Sequence, residues 1–251
     1  MKKLIWKNVL QTLAAIGFLI GVWLFAYFSV GNELLVPSFK ESVKECGALL
    51  KNSAFWLGLW NSLQRTLFAF LISFVFALIF AVIAYLLPWF ANFIAPIVSA
   101  LRSMPVLAVL LILLSVWGAA NAPVAVAFMS LFPMLYTGIF AGLSSVDKKL
   151  VAASRVHGAG VYRRVVAIYL PLSAPYVLRE AGGGISFALK LVVSAEILAN
   201  TARSMGGMMQ EARVYSSVPQ LFALVGVTFF VGLVLETVFT ILAVVAEKKM
   251  Q

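Results

Sequence analysis

The chain is poor in the residues that most often carry chemistry. Its 251 residues include one cysteine, Cys46, and one histidine, His157. A single cysteine excludes an internal disulfide and a cysteine metal cluster, so Cys46 reads as a plain loop residue. No metal-ligand spacing surrounds His157, which reads as a solvated side chain in a basic loop. There is no glycine-rich phosphate loop of the kind that cradles a nucleotide. Charged residues make up only 11% of the chain. No nucleophile–base pair and no His/Asp/Glu cluster falls in its apolar stretches, which argues against a membrane-embedded enzyme.

What is abundant is apolar surface: 63% of the residues are hydrophobic. A soluble domain of this length cannot hide so much, whereas a bilayer can. The apolar runs are continuous over about 20 residues rather than alternating over about 10, so they read as helices and not barrel strands. The expected class is an all-α polytopic membrane protein.

Six spans are expected from hydropathy, over residues 9–30, 63–87, 93–117, 123–143, 182–199 and 220–246. The basic start "MKKLIWK" resembles that of a signal peptide, but the apolar run after it exceeds an h-region of about 7–15 residues. It reads as a retained first span. The net charge of +10 would suggest nucleic acid in a soluble protein. Here Lys and Arg on inner loops explain it, and no nucleic-acid partner is expected. With six spans both termini share a side; that side carries eleven basic residues against five on the other. Both termini are therefore expected in the cytoplasm of a cell-membrane protein. Two outer segments, residues 31–62 and 200–219, exceed simple turns. The second holds "SMGGMMQEARVYSS", readable as an adaptable surface or as a buried lid. No internal repeat is evident.

The inner segment 147–175 is too polar to span and longer than a hairpin needs. Asp147 can cap a short helix. Leu150, Ala153, Ser154 and His157 are spaced to form one face of it. Gly158 suits its end. Val161, Val165 and Ile168 continue at helical spacing, and Pro171 is expected to break that second helix. A projecting helix with small residues fits a protein partner; an amphipathic helix resting on anionic lipid fits equally well.

At these residues the chain resembles the permeases of binding-protein-dependent ABC importers. Their signature is E-A-A, three residues, G, nine residues, I-x-L-P. Here Ala152, Ala153 and Ser154 precede Arg155, Val156, His157 and Gly158, and Ile168, Leu170 and Pro171 follow at the matching interval. Ala152 stands where the family has glutamate. The resemblance covers about residues 57–247, leaving 1–56 as a first helix with an outer loop and 248–251 as a tail. Arg102, Pro105, Trp117 and Gly118 resemble the third span of the nitrate, sulfonate and taurine branch. Glu196, Gly206, Glu211 and Arg213 resemble a later stretch of that branch.

The resemblance implies a type I importer permease core in which residues 150–158 are a coupling helix docked on a cytoplasmic ATP-binding subunit. It implies that ATP is bound and hydrolysed by that subunit, with no cofactor on this chain. It also implies an extracytoplasmic solute-binding protein, a homodimer of permease chains and an anionic, sulfonate- or nitrate-like solute.

Lys190 falls inside the fifth span, where a charge costs about 2.5–3.5 kcal/mol and should face protein or water. Glu196 lies about 240° further round the same helix, so the two are not natural partners. Lys190 is expected to line the translocation path, to make an interhelical pair, Glu236 being one candidate, or to snorkel towards the membrane surface. Glu196 is expected near the path in a structural or gating role. Together these three charges would also suit a self-sufficient secondary transporter, but such proteins often carry repeats, and none is evident here.

Overall fold

The structure is a computed structural model that describes residues 14, 17, 18, 20–33, 35–147, 149, 150, 152 and 160–248. Its elements are all helical: α1 (Ile20–Val30), α2 (Phe39–Leu49), α3 (Ser53–Leu86), α4 (Pro88–Ser103), α5 (Val106–Ser144), α6 (Val161–Ala199), α7 (Met205–Val214) and α8 (Val218–Lys248). Four of them, α3, α5, α6 and α8, are long and apolar enough to cross a membrane. Large apolar side chains such as Ile79, Phe230 and Ile241 are exposed on these helices, as lipid contact requires.

Local chemistry starts the helices. Ser38 caps α2 by accepting from the Glu41 amide, and Asn52 caps α3 by accepting from the Ala54 amide at 2.9 Å. Small residues line one buried stripe of α3, from Ser62 through Thr66, Ala69, Ser73 and Ala77 to Ala81. They allow close helix approach, and α3 packs on both α5 and α6. The main core joins Phe70, Leu131, Leu135, Ile139 and Ile185. A second core at the α7 end joins Phe55, Leu189, Met205, Met209 and Leu224.

Several expected boundaries shift. The second span starts at Ser53, ten residues before the expected 63, because Asn52 caps it there. The expected third span is divided between α4 and α5: Met104 and Pro105 are extended between them. The expected loop between the third and fourth spans shrinks to one residue. Within α5, Gly118 is non-helical, at φ 71° and ψ 172°. A straight helix would hold Val106 and Ser130 about 36 Å apart, yet both line one small cavity. Leu110 likewise shares a buried cluster with Ala122 and Val126. The helix therefore folds back on itself at Gly118, a backbone geometry that glycine tolerates and other residues resist.

Pro171 does not break its helix. A π-helical stretch, Val165–Tyr169, precedes it, and Pro171 occupies the first turn of the α-helical part that follows. There the wider turn displaces the carbonyl that a proline ring would meet, and the missing amide is tolerated. The fifth span is thus continuous from Val161 rather than starting at Gly182. Of the first expected span, the described apolar helix is Ile20–Val30.

Candidate functional site

Residues 200–219 are buried at Thr201 and along one side of α7, and exposed from Arg213 to Ser216. Asn200 ends α6 in the left-handed conformation, φ 47° and ψ 49°. Ser204 caps α7: its hydroxyl accepts from the Gly207 amide at 2.9 Å and donates to the Thr201 carbonyl at 2.8 Å. Met205, Gly206, Gly207, Met209 and Ala212 are buried, as the lid reading expects, while Glu211 and Arg213 to Ser216 are exposed, as the surface reading expects.

Glu196 is at the centre of this end, with no exposed surface. One carboxylate oxygen accepts from Arg65 Nη1 at 2.9 Å. The other accepts from the Ser62 hydroxyl at 2.7 Å and the Gly206 amide at 3.2 Å. Ser62 Oγ in turn accepts from the Met205 amide at 2.9 Å. The carboxylate thus sits at the N-terminus of α7, where unpaired amides and the helix dipole favour an anion. Arg65 Nε donates to the Ala120 carbonyl at 3.2 Å, and Thr201 donates to the Ala119 carbonyl at 2.8 Å. One network therefore ties α3, the fold in α5, the end of α6 and the start of α7.

Arg65, part-exposed at 19%, also lines an open cavity of about 1240 Å³ between α3 and α5, with Gln64, Phe68, Trp117, Asn121 and Phe128. Sequence reasoning missed Arg65 as the partner of Glu196, because 131 residues separate them. The one available signal was a basic residue near the outer end of another span.

Lys190 is not beside Glu196. It is exposed and lines a different cavity, of about 310 Å³, between α6 and α8, together with Glu236. No ion pair joins Lys190 to Glu236: Arg65–Glu196 is the ion pair found among the described residues.

At the other end, Asp147 behaves as a cap. Its carboxylate accepts from the Lys149 amide at 2.8 Å, and its carbonyl accepts from the Leu150 amide at 3.1 Å. Leu150 and Ala152 are exposed, Leu150 at 51%. Ala153, Ser154, Arg155, His157 and Gly158 lie outside the described residues. Ile168 packs on the main core, Leu170 is half-buried and Pro171 is exposed.

The family described as "Binding-protein-dependent transport system inner membrane component" matches residues 73–251. The chain belongs to this family. Its members are transport components of a membrane, not enzymes, and the helices α3, α5, α6 and α8 make this one multi-pass. Two solved structures share the fold. One is the MetNI methionine ABC transporter in inward-facing conformations, with TM-score 0.67 at 18% identity, covering 76% of this chain and 96% of that one. The other is an amino acid ABC transporter with histidines, with TM-score 0.61 at 18% identity, covering 84% and 98%.

Among curated proteins, a probable ABC transporter permease of Brucella melitensis is 29% identical over 156 residues, which is 61% of this chain and 63% of that protein. The matched part thus spans under two thirds of that relative's length. The glycine betaine/proline betaine permease ProW of Escherichia coli is 27% identical over 113 residues, 45% of this chain and 32% of its own length. The carnitine permease OpuCB of Listeria monocytogenes is 29% identical over 115 residues, 45% and 50% respectively.

Proposed function

We propose that this chain is the permease subunit of an ABC importer, moving a small solute into the cytoplasm with ATP hydrolysed by a separate subunit. The observation that carries the reading is the family match over residues 73–251, which includes the segment between α5 and α6. In this reading residues 150–158 dock on the ATP-binding subunit. The exposed Leu150 and Ala152 offer a small, apolar contact there. Ile168, packed on the main core, and the unbroken α6 would carry the push into the bundle. Two permease chains form the pore, an external binding protein delivers the solute, and both termini are cytoplasmic.

The solute carries a negatively charged group that Lys190 attracts. The motif likeness to the nitrate, sulfonate and taurine branch supports an anionic group. The partial relatives named for betaines and carnitine support a small organic solute.

The test is reconstitution with the ATP-binding subunit and the binding protein. ATP-driven uptake is expected, with no ATPase activity from this chain alone. Gly158→Val strains the turn if its φ is positive and should uncouple uptake from hydrolysis while membrane insertion persists. Normal uptake and normal ATPase co-purification in that variant would count against docking at this segment.

A further inference from the structure

The cavity between α6 and α8 holds two opposite charges that do not meet. Lys190 and Glu236 both line it, beside Ser186, Ser194 and Thr228. Both charged residues are exposed, and neither is in an ion pair among the described residues. The Ser186 and Ser194 hydroxyls make no hydrogen bond among those residues either, although Ser186 is 94% buried (6% exposed). A charge facing lipid is costly, so each needs water, protein or a solute.

The packing of the two helices sets the spacing. A side chain at Gly182 would meet Phe239 and the Glu236 carbonyl, and one at Gly232 would meet Ser186 and Leu189. In this antiparallel register Glu236 is level with about residue 184 of α6. Lys190 is then about 9 Å away along the axis, at 1.5 Å per residue. The two straddle mid-depth. At that rise Lys190 lies about 8 Å from the centre of Leu170–Ala199, towards α7. Glu236 lies about 5 Å from the centre of α8, towards the opposite end.

We infer that this cavity binds a dipolar solute on its way through: Lys190 holds a carboxylate or sulfonate, Glu236 holds the cationic group, and the two serines bond the polar atoms between. A lone anion would satisfy Lys190 and leave Glu236 facing it uncompensated; a dipolar molecule satisfies both. A volume of about 310 Å³ suits a small organic molecule. The inference rests on the importer reading and narrows its solute class.

The test uses the full chain in lipid nanodiscs, without the binding protein. Saturation-transfer NMR compares ω-amino carboxylates carrying one to seven methylenes with alkyl carboxylates and alkylammonium ions of matched length. At least one dipolar length should bind tenfold or more tightly than both of its singly charged analogues. Lys190→Met and Glu236→Gln should each reduce it to the level of those analogues, and Lys190→Arg should keep it. The exchange Lys190→Glu with Glu236→Lys should restore binding.

If no length is preferred over both analogues, the inference is overturned, and that comparison needs no variant to fold. It is also overturned if the exchange restores thermal stability lost in the single variants without restoring binding, the mark of a structural pair. ATP-driven uptake by the reconstituted complex is measured separately. Uptake without dipolar preference removes this site and leaves the importer reading standing. Dipolar binding without ATP-driven uptake does the reverse.

Discussion

Glu196 and Arg65 are unequally placed, and that decides what each substitution costs. Glu196 is fully buried and has four donors' worth of order around it: Arg65, Ser62 and Gly206 directly, with Met205 held through Ser62. Arg65 reaches the open cavity between α3 and α5. Removing the arginine strands a carboxylate in the interior, a loss of about 3–5 kcal/mol for a broken buried pair. Removing the carboxylate leaves an arginine that water can reach, a smaller loss. Arg65→Met should therefore lower the thermal unfolding temperature in detergent more than Glu196→Gln does. Equal or reversed effects would mean that the carboxylate has another source of compensation. Gly206 belongs to the same argument: a side chain there would meet the Cβ of Glu196 and the backbone of α6. Gly206→Ala should disrupt the clamp without touching any charge.

At the level of helices, two interruptions shape the bundle. Gly118 lets α5 fold back, bringing the Ala119 and Ala120 carbonyls to Thr201 and Arg65. A side chain at φ 71° and ψ 172° costs about 1–3 kcal/mol. Gly118→Ala should be destabilised by that amount and become sensitive to protease near residues 117–120. Gly183, helical with open space where a Cβ would sit, is the control. Gly183→Ala should be neutral or gain up to about 1 kcal/mol from helix propensity. The π-helical stretch Val165–Tyr169 is the second interruption. It lies within α6 and lets that helix run unbroken past Pro171 from Val161 to Ala199, the end near Glu196.

For the molecule as a whole, the charge on its loops makes topology the measurable property. A reporter fused after Gln251, or inserted after Lys149, should be cytoplasmic; one inserted after Lys44 should be outside. Cys46, half-buried with its Sγ 4.0 Å from the Ala223 carbonyl, gives an independent readout. An impermeant thiol reagent should label it slowly from the outer side of intact cells. A cytoplasmic reporter at Lys44 would invert the whole assignment, and with it the side on which residues 150–158 could meet an ATP-binding subunit.

Much of this architecture was legible in composition and periodicity. Long apolar runs demand helices in a bilayer, because backbone groups have no other partners there. Asp147 as a cap was a local pattern, and local patterns survive in a linear string. The ends of the spans were less legible. Hydropathy averages over a window, so it passes over a single cap such as Asn52, a single fold-back glycine such as Gly118, and a π-turn that absorbs Pro171. The side-chain partnerships were only partly legible. Helix spacing separated Lys190 from Glu196 and left Glu236 as a candidate, and the two share a cavity without an ion pair; Arg65 meets Glu196 across 131 residues, which no local pattern shows. Which charges face one another depends on the register in which helices pack. That register is set by the small residues of α3 and by Gly182 and Gly232 between α6 and α8, and it exists only once the helices have come together.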